Sequence, residues 1–363
     1  MSDAASGTGR PDQVGHQVRR PMGRPMGRRG RLGRAWRAAT RDDVDLSVPV
    51  GSLVLPNPVM TASGTAGHAD ELEAYGPLAA LGAMVVKSLS VGPWPGNPSP
   101  RVHQAGSGMV NSVGLQGPGI EAWVRDDLPR LAAAGARTVV SIWGQRVDDF
   151  AEAAGMLAAV EGLTAIEVNV SCPNVEDRRH MFAHSPTATA EVVAAVAANG
   201  PAVPLWAKLS PTVADVAEVA GAALAHGAEA VTLINTALAM VIDLERRAPV
   251  LGSGPAGGGL SGPSVHPIAV RAVFDVRAAH PDATIIGVGG VMTGRDAVEL
   301  LMAGADAVQV GTATFRDPRA AWRVLDEIGA WCVDHRVRSV RSLRGVAHDS
   351  RGAALAAEDL ARD

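Results

Sequence analysis

The sequence predicts an α/β fold, a single (β/α)8 TIM barrel, on three observations. From about residue 46, short β-branched runs alternate with alanine-rich stretches of helical period, the pattern of parallel βαβ units. Eight such strand candidates can be counted, at 58–62, 83–88, 138–143, 165–171, 205–210, 230–236, 284–290 and 307–313. Their near-continuous apolar character suits strands covered on both faces, and so a closed barrel better than an open doubly wound sheet, which the count alone leaves open. Finally, the polar residues that interrupt these runs fall at or just beyond the C-terminal strand ends, where barrel enzymes keep their active sites.

Taken in chain order, residues 1–44 read as a disordered basic tail. Residues 1–40 hold nine arginines against two aspartates, so the rest of the chain carries about −11 of the overall −4. The repeat Pro21-Met22-Gly23-Arg24, Pro25-Met26-Gly27-Arg28 has too little apolar surface to order itself, and Met22 and Met26 leave room for a later start. Arg19-Arg20 lacks the apolar segment of an export signal. A small hairpin, Ser47 to Val50 then Leu53 to Leu55, is expected to cap one end of the barrel. Each strand is followed by a plausible helix. After the fifth strand, Val213, Val216, Val219, Ala220, Ala223 and Leu224 form one stripe that should end at Gly227. The barrel is expected to span 45–345, leaving 346–363 as a C-terminal tail.

At 363 residues and 47% hydrophobic content, one large core is the simplest organisation. Only two cysteines, Cys172 and Cys332, are present. That is too few for a disulfide framework, points to a reducing compartment, and excludes a self-contained iron–sulfur cluster. Without a long apolar run or a secretory signal, a soluble cytoplasmic protein is expected, with no membrane and no nucleic-acid partner. No metal site is assigned.

The chemistry gathers at the mouth. Gly289 and Gly290 after the seventh strand, and Gly311 and Thr312 after the eighth, leave backbone N–H groups open where such barrels bind phosphate. Gly287-x-Gly289 lacks the following glycine of a dinucleotide fingerprint. Lys87 and Lys208 terminate apolar strands, where a charge calls for a partner anion; a structural salt bridge and a Schiff-base nucleophile are the other readings. Beside a flavin ring, such a lysine would stabilise the anionic reduced form. Asn169-Val170-Ser171-Cys172-Pro173-Asn174 sets a thiol between two amides, and Asn111 and Asn235 add two more. One asparagine is more often a turn residue, but four at one mouth suggest a flat, polar, mostly uncharged ring as ligand. A cysteine suits proton abstraction from carbon because its pKa lies near working pH, whereas Cys332, in Ala330-Trp331-Cys332-Val333, reads as core filler.

These residues, with Ala62-Ser63-Gly64, Val86-Lys87-Ser88, Asn111 through Gln116, Lys208-Leu209-Ser210-Pro211, Ile234-Asn235-Thr236 and Gly258-Gly259-Leu260-Ser261-Gly262-Pro263, resemble the class 1 dihydroorotate dehydrogenases, especially the catalytic subunit of the NAD-linked class 1B. The resemblance implies FMN-dependent oxidation of (S)-dihydroorotate to orotate in pyrimidine (UMP) biosynthesis. Cys172 would remove the C5 proton while C6 gives hydride to FMN. It further implies that Lys87, Asn111, Ser112, Val113, Gly114, Leu115, Asn169, Asn174, Asn235 and Thr236 hold the pyrimidine. Ser63, Lys87, Ser88, Ser141, Asn169, Lys208, Ile234, Gly262, Gly289, Gly290, Gly311 and Thr312 would hold FMN. Cys172 and the polar tail are unlike the second, membrane-associated class, which uses a serine base and an apolar extension.

Three departures stand out. Ser141 replaces a usual asparagine, Gly117 replaces the asparagine of a Gly-Leu-Gln-Asn-Pro-Gly stretch, and residues 175–180 replace a glycine-rich lid. The resemblance implies a partner subunit carrying FAD and a 2Fe-2S cluster, in a homodimer or a heterotetramer; fumarate or another soluble oxidant would remove that need. The alternatives are a dihydropyrimidine dehydrogenase-like barrel acting on another pyrimidine, a lysine Schiff-base aldolase, and a non-catalytic scaffold.

Overall fold

The structure, a computed structural model, describes residues 40, 43–171 and 182–349. Residues 1–39, 41 and 42 of the tail read over 1–44, Cys172, Asn174, the lid at 175–180 and the chain beyond 349 lie outside the described residues. Within them, eight parallel strands form one sheet: Val59–Thr61, Met84–Val85, Thr138–Ile142, Leu163–Asn169, Leu205–Leu209, Ala230–Leu233, Thr284–Val288 and Ala307–Val310. The first pairs with the eighth, Met60 opposite Gln309, and a parallel bridge between Met60 and Ala83 brings in the second, closing the barrel. All five residues of the third strand and of the fifth are buried, as strands covered on both faces must be.

The helices that cover this sheet start where the sequence supplies caps. Ser185 accepts from Ala188 N ahead of Pro186–Asn199, and Asp215 from Ala217 N and Glu218 N ahead of Val216–Ala225. Thr293 and Asp296 form a capping box on Gly294–Ala303. The helix after the fifth strand buries Val219, Ala220 and Ala223, the expected stripe, but Val213 lies before it because Asp215 is its cap. The first unit departs from expectation: in place of a full helix it has two 3-10 turns, Glu73–Tyr75 and Leu78–Ala80. Gly76-Pro77 interrupts the run between them, and Pro77 has no N–H to continue a helix. The helix Ala320–Asp334 packs against the first strand and places Trp322 on Gly76, its Nε1 donating to Pro77 O at 3.0 Å.

The hairpin Val48–Val50 and Leu53–Leu55 forms as expected. Its turn donates from Gly51 N to Thr284 Oγ1 and from Ser52 N to Glu229 Oε2, so it closes the end at which the sixth and seventh strands begin. At the other end stands a second sheet that the sequence reading missed. It is four-stranded and antiparallel, in the order Ala237–Ala239, Gly258–Ser261, Gly108–Asn111, Val102–Ala105, and is built from the loops after the second and sixth strands. Cys332 is fully buried, and burial pushes its thiol up to about 11, as befits core filler. No helix among the described residues is long and apolar enough to cross a membrane.

One buried ionic cluster fastens the N-terminal end of the barrel. Asp306 accepts from Ile285 N at 2.9 Å and from Arg277 Nη2 at 3.0 Å, and its other oxygen pairs with Arg344 Nε at 3.0 Å. Arg277 also donates to the carbonyls of Gly304 and Pro281. Removing one member of such a cluster strands a buried charge. Asp306→Ala is therefore expected to cost about 3–5 kcal/mol, read as a fall in the urea midpoint, and Asp306→Asn less, because it keeps a side-chain acceptor for Ile285 N.

Candidate active site

The C-terminal strand ends open on a cavity of about 790 Å³, inside the roughly 300–1,000 Å³ range of small-molecule sites. Asn111, Ser112, Val113, Gly114, Leu115, Asn169, Asn235, Thr236 and Lys87 from the pyrimidine set line it. So do Ser63, Ser88, Lys208, Ile234, Gly262, Gly289, Gly290, Gly311 and Thr312 from the cofactor set. Ser63 and Thr312, 249 positions apart, thus share one chamber. Ser141 does not reach the wall: it is fully buried behind Ser88, hydroxyl to hydroxyl at 2.8 Å.

A relay of short polar groups crosses the chamber floor. Ser88 Oγ meets Ser63 Oγ at 3.2 Å and accepts from Asn169 Nδ2 at 3.1 Å. Asn169 Oδ1 accepts from Ser171 Oγ at 2.9 Å and from Asn235 Nδ2 at 3.3 Å; the same Asn235 amide lies 2.5 Å from Ser171 Oγ. Asn235 is set by the sheet itself, its N–H donating to Leu209 O, and its Oδ1 accepts from Thr236 N. Ser171, at the end of this relay, directly precedes Cys172 in the chain.

The loop of Asn111 to Leu115 is held from outside by two residues the sequence reading missed. Arg101 donates to Asn97 O at 2.6 Å, Gln116 Oε1 at 2.6 Å and Pro95 O at 3.0 Å, while its own carbonyl accepts from Ser112 N. Asn97 donates Nδ2 to Ser112 O and N to Val113 O. Ser112 Oγ is buried on the cavity wall with no hydrogen-bond partner among the described residues, an orphan that a polar ligand would satisfy. A Cβ at Gly117 would stand 3.4 Å from His68 Nε2, an ordinary contact, so nothing in the structure explains the glycine there. Burial, then the nearby Lys87 charge, lowers the His68 pKa from its ordinary value and so favours the neutral imidazole.

Glycines pack tightly at the cavity wall after the seventh strand. Gly290 has φ +68°, and a Cβ on it would come within 2.6 Å of His266 Cβ and 2.9 Å of Gly262 O. His266 Nδ1 bonds Gly289 O at 2.9 Å, while Asp296 Oδ2 accepts from Met292 N and Thr293 N, fixing the loop after the seventh strand. Lys208 borders the chamber, 4% exposed, with its Nζ 3.6 Å from Glu167 Oε1. Glu167 had not been singled out in the sequence, although it is the one charged residue inside the strand Leu163–Asn169. A salt-bridged ammonium is the wrong form for Schiff-base chemistry, which needs a free amine. The glycine-lined wall, the orphaned Ser112 hydroxyl and the buried lysine are together compatible with FMN.

Comparison with known proteins agrees with this geometry. The family model described as dihydroorotate dehydrogenase matches residues 45–331. A protein of Desulforudis audaxviator named "Dihydroorotate dehydrogenase B (NAD(+)), catalytic subunit" is 48% identical over 309 residues, covering 85% of this chain and 99% of its own. Proteins of the same name from Citrifermentans bemidjiense and Geobacter sulfurreducens are 46% and 43% identical, each covering 83% of this chain and 97% of their own. With a family model spanning most of its length and relatives aligned almost end to end, the chain belongs to the dihydroorotate dehydrogenase family.

Proposed function

We propose that this chain oxidises dihydroorotate to orotate, the step its relatives' names describe, with FMN in the glycine cradle. The observation that carries the reading is the single cavity in which a phosphate cradle, a buried lysine and a set of asparagine amides meet. FMN, when bound, supplies the hydride acceptor for C6 of the substrate. The chain's own residues do the rest. Asn111, Asn169 and Asn235 offer donors and acceptors to a ring whose edge alternates N–H and C=O, with Asn174 as a fourth amide by sequence. Lys87 would meet the substrate carboxylate, and Cys172, directly after Ser171 in the relay, takes the C5 proton as general base. Ser141 contributes through Ser88.

The relatives are named catalytic subunits linked to NAD, and we place this chain in the same arrangement. With Cys172 assigned as the base and Cys332 fully buried, the chain cannot supply the four thiolates of an iron–sulfur cluster. Electrons therefore leave through a partner subunit carrying FAD and a 2Fe-2S centre, in a heterotetramer built on a homodimer of this chain. Two thiols and no disulfide framework suit a cytoplasmic enzyme.

Anaerobic addition of dihydroorotate to the purified, FMN-loaded chain is expected to bleach the flavin's visible band at once; a flavin that stays oxidised would move the substrate to another pyrimidine. Cys172→Ala should keep its full FMN content and lose about 10²–10⁴-fold in turnover, and near-normal turnover would remove the thiol from the base role. Gly290→Ala is expected to be purified largely without flavin, because the new Cβ meets His266 and the Gly262 carbonyl. Reconstitution titrations should show FMN binding weakened by at least about tenfold, equivalent to 1.4 kcal/mol.

A further inference from the structure

At the chamber floor lies a set of four buried polar side chains, of which only Lys208 has a part in the reaction as described. Glu167, Thr232 and Gln309 are fully buried, and Lys208 is 4% exposed. They come from the fourth, sixth, eighth and fifth strands respectively. Gln309 Nε2 donates to Glu167 Oε2 at 2.8 Å, Thr232 Oγ1 donates to the same oxygen at 3.3 Å, and Lys208 Nζ donates to Gln309 Oε1 at 3.4 Å. Glu167 Oε1 takes no hydrogen bond among the described residues and faces Lys208 Nζ at 3.6 Å.

The polarity of every member is forced. A carboxylate only accepts and an ammonium only donates, so the Gln309 amide between them must turn its NH2 to Glu167 and its oxygen to Lys208. The Thr232 hydroxyl must likewise donate to the carboxylate. The two contacts of the ammonium are long compared with the roughly 2.7–2.9 Å of a charge-assisted hydrogen bond. Lys208 is thus braced from below without being saturated, and it retains donor capacity toward the cavity it lines.

We propose that Glu167 is a positioning residue that sets the electron affinity of the bound flavin by offsetting part of the Lys208 charge, with Gln309 and Thr232 fixing the carboxylate. The proposal rests on the flavin reading above. A cation close to the ring favours the anionic reduced form, and a carboxylate behind that cation opposes it. Glu167 acts through Lys208, the cation it faces at 3.6 Å: with methionine at 208 the carboxylate has no ammonium to offset.

The test is the oxidised-to-reduced ratio of the FMN-loaded protein, equilibrated against a reference dye. Glu167→Gln, which keeps shape and loses charge, is expected to shift the ratio toward reduced flavin about tenfold, or about 30 mV for a two-electron couple. Lys208→Met should shift it the other way, and adding Glu167→Gln to Lys208→Met should change nothing further. Thr232→Val removes one donor from the carboxylate, strengthens its pull on the ammonium, and should move the ratio about two- to threefold toward oxidised flavin. Glu167→Gln within twofold of the parent, or the same Glu167→Gln shift in both backgrounds, overturns the proposal. If Glu167→Gln does not fold, an unchanged ratio in Thr232→Val does so alone. A parent protein that takes up no FMN overturns the flavin reading itself, an outcome distinct from a flavin-loaded variant with unchanged potential.

Discussion

The site depends first on the closure of the barrel, and closure is narrowest between the first and second strands. There the backbone supplies little: one parallel bridge, Met60 to Ala83, with Gly82 N donating to Val59 O at 2.7 Å and Thr61 N to Ala83 O at 3.3 Å. Side chains complete the seam. Asn57 accepts from Val59 N and donates to Ala80 O, Thr61 Oγ1 accepts from Val85 N at 2.9 Å, and Arg137 binds the carbonyls of Ala79, Leu81 and Gly82. A parallel edge left open would expose unpaired peptide groups. Once it is sealed, the strand ends converge, and Ser63 and Ser88, one from each side of the seam, come within hydrogen-bonding distance.

From that convergence follows a division of labour along the barrel axis. The N-terminal end carries the hairpin and the Arg277–Asp306–Arg344 cluster, which tie the chain's flanks to the strands and line no part of the chamber. The C-terminal end carries the glycines, amides and lysines, together with the small antiparallel sheet that presents Asn111 and Gly259 to the chamber. Between them lies the buried polar layer of Glu167, Lys208, Thr232 and Gln309. Four polar side chains in a barrel interior are costly unless each finds a partner, and here each has at least one within the layer.

Much of this was legible in the sequence, for physical reasons that also mark where legibility stops. All eight strands were readable because a strand buried on both faces must be a short apolar run, and the glycines after the seventh and eighth stood out in the sequence as bare backbone at strand ends, where the structure places them on the cavity wall. The helix expected in the first unit failed at Gly76-Pro77, a break that the alanines around it concealed. The four-stranded sheet was missed although Gly106-Ser107 separates two paired strands by a two-residue turn, a hairpin signal in plain view. Lys208 was recognised as a charge in need of an anion, but its partner could not be named. Glu167 and Gln309 are 41 and 101 positions away, and only the stagger of the closed strands brings them to Lys208.

Ser141 shows how a departure in one residue is absorbed by its neighbours. Read against the resemblance, a serine replaces an asparagine at a position expected to touch the cofactor, which suggests a lost contact. In the folded chain Ser141 is too short to reach the chamber, and its hydroxyl ends on Ser88 Oγ instead. Ser88 lies on the wall and also binds Ser63 and Asn169. Three polar groups therefore converge on one hydroxyl of the cavity wall. Because Asn169 uses an N–H toward Ser88, the Ser88 oxygen is an acceptor there, and its single proton must go to Ser63, to Ser141 or to the ligand. Whichever it chooses, the remaining serines must orient to match, so the identity of residue 141 is carried to the cavity wall through the direction of one O–H bond.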